Sequence, residues 1–414
     1  MPVQTQGVKA IEQTKVAREL RGGAALSIVS LVQNLIEEAH HRRASDIHLD
    51  PREKEMCVRL RIDGVLQDVY SFPKDIQPEV ISRIKVMAGL RTDEHQAAQD
   101  GRFRVLVDDV GAIDIRVSIA PSYYGENAVL RLLSERAEKF TLETLGFSNE
   151  DRAKVIPALK NTYGMILSTG PTGSGKTTAL YTILKILHVP EVSIITIEDP
   201  IEYAIDGINQ MQVNARTGLT FANGLRAMLR QDPDIIMVGE IRDAETAGLA
   251  VNTALTGHLV LSTLHTNDAA TTIPRLIDIG VEPYLIAATV NLAIGQRLVR
   301  KICKHCTKKR SLTDAERASL GGIAVMPEFE NLKEVYQGKG CAECNGSGYR
   351  GRLCIYEIIV VDDAIREAIL QRKGAADIRT IAREHGMTTM VEDGFRKVRE
   401  GITTIEEVLR VIHE

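Results

Sequence analysis

The stretch MILSTGPTGSGKTT, residues 165–178, sets an apolar strand, a glycine-rich turn and the start of a helix in immediate succession. From Gly170 to Gly175, Lys176 and Thr177 it fits G-x-x-x-x-G-K-[ST], the pattern of a phosphate-binding loop. Glycine lets successive backbone N–H groups turn inward around a phosphate, at a helix N-terminus whose dipole favours an anion. Thr172, Gly173 and Ser174 complete the loop. Lys176 brings a mobile positive charge to the outer phosphates of ATP, and Thr177, with Thr178 beside it, offers a hydroxyl to Mg²⁺. An ordinary strand-to-helix turn is the bland alternative. The flanking strand and the helical ALYTIL are what the phosphate-binding mechanism requires.

Hydrolysing a bound triphosphate needs more: one carboxylate to activate water and another to support the metal. SIITIED ends a strand in Glu198-Asp199, with Glu202 close behind, and DIIMVGE ends a strand in Glu240. A further strand, LVLSTLH, runs from His258 to His265. An acid pair is often only a solvated strand end, and a lone histidine is usually structural. Parallel sheets, however, bind ligands at the C-terminal edge of their strands, and these residues converge there with the loop.

Working outward, residues 1–23 are polar and read as a linker. SIVSLVQNLIEEAHHRRASD carries a helical apolar stripe. MCVRLRIDGVLQDVY and GRFRVLVDDVGAIDIRVSIA alternate apolar and polar residues around Asp63-Gly64 and Asp109-Val110-Gly111 turns. Residues 24–140 therefore predict a small, antiparallel-rich α/β domain. Residues 141–300 alternate strands and helices and predict a mostly parallel sheet. A cysteine module at 301–360 and a helical tail at 361–414 follow.

The chain has 414 residues and a net charge of -4, so no global positive field draws it to nucleic acid. Aromatics make up 4% with no Trp, which leaves no stacking track for a single strand and disfavours a nucleic-acid motor. Neither a membrane span nor a signal peptide is legible, which predicts a cytoplasmic protein. In that compartment paired cysteines read as metal ligands before disulfides. Cys303/Cys306 and Cys341/Cys344 are two C-x-x-C pairs matching a four-thiolate structural Zn²⁺ site, Cys303 following RLVRKI, read as a helix end. Cys57 and Cys354 remain as free thiols.

The set GPTGSGKTT, TIEDPIEY and LRAMLRQDPDIIMVGEIRDAETAGLAVNTALTGHLVLSTLHTNDA resembles the secretion ATPase family of type II secretion and type IV pilus assembly. The likeness extends upstream through ASDIHLDP, VRLRIDGVL and DIRVSIAPSYYGENAVLRLL and downstream through the cysteines. It implies a RecA-like P-loop NTPase domain preceded by a smaller PAS-like domain. It also implies a homohexamer at the cytoplasmic face of the inner membrane, driving an embedded platform protein. By the same likeness Glu198 is the water-activating base, Glu240 supports the metal, and His258 and His265 form a histidine box. Arg116 and Arg131 reach the γ-phosphate from the preceding domain, with Arg102 or Arg104 as a further candidate. Fuller members carry an adaptor domain before the first domain seen here. Retraction motors of the family usually lack the cysteine insertion, which argues for assembly or secretion over retraction.

Overall fold

Alternation of apolar and polar side chains over residues 44–133 has the consequence expected of half-buried strands. The computed structural model describes residues 14–22, 26–107, 111–133, 140–314, 316 and 333–413. Most of the leading linker, and Asp109-Val110 of the expected turn, lie outside them. The chain divides into two compact units, one of residues 1–136 with the short segment 340–347, the other of 137–339 with 348–414.

In the first unit, β1 (Ala44–Pro51), β2 (Glu55–Ile62), β3 (Val65–Pro73), β4 (Gln99–Val107), β5 (Gly111–Ser122) and β6 (Gly125–Leu133) form one sheet in the order β3-β2-β1-β6-β5-β4. Every pairing is antiparallel. Asp63 and Gly64 both take positive φ, 50° and 90°, which matches the right-handed twist of the flanking strands in a two-residue hairpin. Along β5, Ile113, Ile115, Val117 and Ile119 are buried, whereas Asp114, Arg116 and Ser118 lie on the other face. The buried set packs with Leu31, Leu35 and Ile36 of the helix Ile28–His41 and Val80, Ile81 and Ile84 of the helix Gln77–Met87. Each such side chain contributes roughly 1.5–3 kcal/mol by leaving water. The two helices thus pack on one face, and the arginines lie on the other.

The second unit is built on a seven-stranded sheet. Its members are β7 (Gly164–Thr169), β8 (Ile194–Glu198), β9 (Asn209–Gln212), β10 (Ile235–Val238), β11 (Leu259–Leu264), β12 (Val290–Ile302) and β15 (Tyr349–Val360), in the order β15-β12-β7-β11-β10-β8-β9. All neighbours are parallel except β12 and β15. Strands covered by helices on both faces become continuous apolar runs, and β7 and β11 are buried at every position. Met165 and Leu167 face one layer with Ala247, Ala250 and Val251, while Ile166 faces the other with Leu180, Ile183 and Leu184.

Two features depart from the sequence reading. RLVRKI is the end of β12, because residues 297–300 and, past a shift in register, Ile302 continue a strand paired with β15. Residues 349–360, within the segment read as the cysteine module, supply the antiparallel edge β15 of the main sheet. Between them, β13 (Thr307–Ser311) and β14 (Glu334–Gly338) form a separate two-stranded ribbon.

The last helix, Ile405–His413, is anchored on β12 by charge as well as by apolar packing. Glu407 is 2% exposed and accepts bonds from the Arg300 backbone N–H at 3.1 Å, the Arg300 guanidinium and Arg410 Nη2 at 2.9 Å. Burial alone would raise its carboxyl; the bonds from Arg300 and Arg410 outweigh that and hold it at about 2. A depressed carboxyl contributes stability above its unfolded value near 4.5 and loses it as pH falls through 2. Glu407→Gln is expected to cost about 3 kcal/mol at pH 7. Denaturant unfolding of both proteins should show that gap narrowing below pH 4.5 and closing towards pH 2.

Candidate nucleotide and metal sites

The loop after β7 turns because three glycines take backbone angles that other residues rarely adopt: φ is 148° at Gly170, 79° at Gly173 and 91° at Gly175. At Gly170 a Cβ would stand 2.5 Å from the Gln296 carbonyl oxygen and 2.6 Å from Ser174 Oγ, so the position also lacks room for a side chain. The helix Lys176–Leu187 begins at once, with Gly175 as its cap and Thr177 and Thr178 in its first turn. Thr172 is exposed. Lys176 is buried and its Nζ donates to the carbonyl oxygens of Gly170 at 2.8 Å and Pro171 at 3.0 Å. Burial lowers it to about 8, the Glu240 carboxylate pulling the other way. The Ser174 hydroxyl is buried without a hydrogen-bond partner, an orphan that an anion in the loop would satisfy.

Parallel pairing brings the ends of β8, β10 and β11 to the same sheet edge as the loop. Strands lie about 4.8 Å apart. The order β7-β11-β10-β8 therefore puts Glu240 two strands from the loop and Glu198 three. The two carboxylates differ sharply. Glu240 is held at 3.0 Å from His265 Nε2 and paired with Arg242. Glu198 is 2% exposed; one oxygen accepts from Tyr181, the other from Thr196 at 2.5 Å and Gln210 at 3.1 Å. Burial raises its carboxyl, and those three hydrogen bonds pull it back. So arranged, both oxygens of Glu198, the residue expected to activate water, are engaged by protein donors.

The histidines part company as well. His265 follows the C-terminal end of β11 at the loop's edge, whereas His258 precedes its first residue, where its carbonyl accepts from Gly164 at the start of β7. Six residues of strand, about 20 Å, separate them. Within one chain His258 is therefore not at the phosphate edge, and its Nδ1 lies 3.1 Å from the Thr253 carbonyl oxygen.

In the first unit the strand register aligns Arg102 with Arg116, Arg116 with Arg131, Arg131 with Asp46 and Asp46 with Arg61. Arg131 Nε donates to Asp46 Oδ1 at 2.9 Å, and Arg61 Nε lies 3.5 Å from Asp46 Oδ2. Like charges directly opposite on a sheet are destabilising, and here four arginines, Arg61, Arg102, Arg116 and Arg131, share one row with the buried Asp46. Arg104 is set apart from it by its two bonds to Asp114, at 2.9 and 2.7 Å.

All four module cysteines have their sulfurs within 4.8 Å of one another, and Cys341 and Cys344 are 3.7 Å apart. Four sulfurs placed tetrahedrally about 2.3 Å from zinc are roughly 3.8 Å from each other. Backbone bonds close the module: Lys339 N–H to the Cys306 carbonyl at 3.0 Å and Cys303 N–H to the Gly348 carbonyl at 2.9 Å. The Cys341 N–H approaches Cys344 Sγ at 3.2 Å. Zinc fits these donors, and four thiolates would leave it no open position. Cys57 and Cys354 are buried elsewhere.

Residues 23–410 match the family described as Type II/IV secretion system protein. The chain belongs to that family. It is 48% identical over 401 residues to the type IV pilus assembly ATPase PilB of Thermus thermophilus, covering 97% of this chain and 44% of that protein. It is 47% identical over 387 residues to type II secretion system protein E of Pseudomonas aeruginosa, covering 94% of this chain and 76% of that protein. Among solved structures, the pilus retraction motor PilT with bound ADP shares the fold at a TM-score of 0.62 and 28% identity, over 91% of this chain and 95% of that one. The chain thus spans less than half the length of the Thermus relative. Among the described residues no helix is long and apolar enough to cross a membrane.

Sequence reasoning passed over Tyr181, Gln210, Gln296 and Asp46. A buried tyrosine on a helix reads as core; only Gln296, a polar residue inside the apolar run LAIGQRLV, carried a local signal. For the cysteine module, elemental analysis is expected to find one zinc per chain. Cys341→Ser should lose the metal and expose residues 303–350 to protease, while nucleotide binding at the loop persists.

Proposed function

We propose that this chain is an ATP-hydrolysing motor subunit of a type IV pilus assembly or type II secretion machine. The observation that carries the reading is the phosphate loop with Lys176 at the same sheet edge as the Glu240–His265 pair, in a chain of this family. In this reading Gly170 to Gly175 cradle the phosphates, Lys176 leaves its own loop's carbonyls for the outer phosphates, and Thr177 and Glu240 would hold Mg²⁺, which neutralises phosphate charge when bound. The buried, saturated state of Glu198 and the shorter reach of Glu240 favour Glu240 as the carboxylate that orients and deprotonates water. His265 keeps that carboxylate in place, and Glu198 ties the helix after the loop to β8 and β9 through Tyr181 and Gln210. Arg116 and Arg131, with Arg102 in their row, supply charge to the γ-phosphate as it is transferred.

We further infer six subunits in a ring at the cytoplasmic face of the inner membrane, acting on a platform protein. The names of the Thermus and Pseudomonas relatives support assembly or secretion. So does the tetracysteine module, which the family resemblance ties to assembly and secretion members.

Three variants test the chemistry. Lys176→Ala should abolish nucleotide binding or turnover. Glu240→Gln should keep ATP and lower turnover at least about a hundredfold, whereas Glu198→Gln should cost less in turnover and more in thermal stability. Phosphate release at saturating ATP measures this; the reverse ranking returns the base to Glu198. For the ring, Arg116→Ala should lower turnover by about a hundredfold or more at nearly unchanged ATP affinity, as for a group used in the transition state. Light scattering beside the kinetics should find six chains, and a fully active monomer would contradict the ring.

A further inference from the structure

We propose that Gln296 is a positioning residue for the phosphate loop, holding it open for an anion from beneath. It touches no nucleotide in this scheme; it acts on the backbone that does. Gln296 lies in β12, wholly buried in a strand between β7 and β15. A primary amide there is costly unless both its ends are satisfied. Its Oε1 accepts from Ser168 Oγ on β7 at 3.1 Å, and its Nε2 donates to the Ser174 carbonyl oxygen at 2.8 Å. A carbonyl can only accept, so the amide orientation is dictated by its partners.

The consequence for the loop follows from peptide geometry. The 174–175 bond is trans, the only cis bond among the described residues being Asp199-Pro200. In a trans peptide the C=O and the following N–H point in opposite directions. Pinning the Ser174 carbonyl down onto Gln296 therefore aims the Gly175 N–H away from the sheet, to the side where an anion would sit at the helix N-terminus. The backbone of Gln296 works in the same sense, its carbonyl oxygen lying only 2.5 Å from where a Cβ on Gly170 would stand. One residue thus supports the first glycine of the loop, its penultimate carbonyl and, through a 3.3 Å approach to the Cβ position of Gly175, its last glycine. The thiol of Cys354 completes the floor, 3.8 Å from Nε2 and 3.6 Å from the Ser174 oxygen.

The inference rests on the reading that nucleotide phosphates occupy the loop, and the test separates the two. Gln296→Glu keeps the shape but sets a carboxylate oxygen against the Ser174 carbonyl; protonating it restores a donor. Binding of ADP and of inorganic pyrophosphate is measured by calorimetry on the full chain at pH 8 and pH 6, each relative to the unsubstituted protein at the same pH. Cys354 does not confound the comparison, because burial pushes its thiol up to about 11, and the Lys176 titration is common to both proteins. For Gln296→Glu the expected result is roughly a tenfold or greater loss for both ligands at pH 8, recovering towards pH 6. Gln296→Met, close in volume, should lose a similar factor at both pH values. It keeps the test alive if the glutamate variant does not fold. Unchanged affinity in either folded variant, or a loss in Gln296→Glu that does not recover while Gln296→Met binds normally, would overturn the assignment. An unsubstituted chain that binds neither ligand would instead overturn the nucleotide reading.

Discussion

Everything at the candidate nucleotide site depends on backbone N–H groups being turned towards one point in space. Left-handed angles at Gly173 and Gly175, and the missing side chain at Gly170, let the chain leave β7 and enter a helix within six residues. The helix start then presents unsatisfied N–H groups and the positive end of its dipole together. Such a turn has few internal bonds of its own, so it needs a floor. Strands β7 and β12 provide one, and they can do so because parallel pairing buries both faces under helices.

The same burial explains why the acidic side chains at the sheet edge behave differently although their sequences look alike. Glu198 and Glu240 both end apolar strands, yet Glu198 is drawn inward by a tyrosine on the neighbouring helix and a glutamine on the edge strand. Glu240, also buried, is paired with His265 and Arg242, groups near solvent, and its charge reaches Lys176. A carboxylate saturated with hydrogen bonds in a dry environment makes a good strut. One with a charged, partly solvated neighbourhood is better suited to meeting water and metal.

Charge in the first unit is arranged on the opposite principle. Arginine stands opposite arginine across these strands, an arrangement unfavourable by itself, and Asp46 sits among them bonded to Arg131 and close to Arg61. Stability is supplied elsewhere, by the apolar face under two helices in this unit and, in the other, by the buried Arg300–Glu407–Arg410 group.

The sequence alone determined the features that depend on local spacing. These are the strand–loop–helix around Gly170 and Lys176, the alternation in β2 to β5, the apolar runs of β7, β8, β10 and β11, and the two C-x-x-C pairs. Each is set by the period of a strand or by the reach of a few covalent bonds. Tertiary structure decided what spans distant segments: that RLVRKI extends a strand, that β15 joins the main sheet, that His258 and His265 occupy opposite ends of β11, and that Arg102 rather than Arg104 aligns with Arg116. It also decided that Gln296, 126 positions beyond Gly170 (296 − 170), lies beneath the phosphate loop. The physical reason is register. A side chain's partners across a sheet are chosen by how strands far apart in the chain slide into alignment, and no pattern within one strand records that alignment.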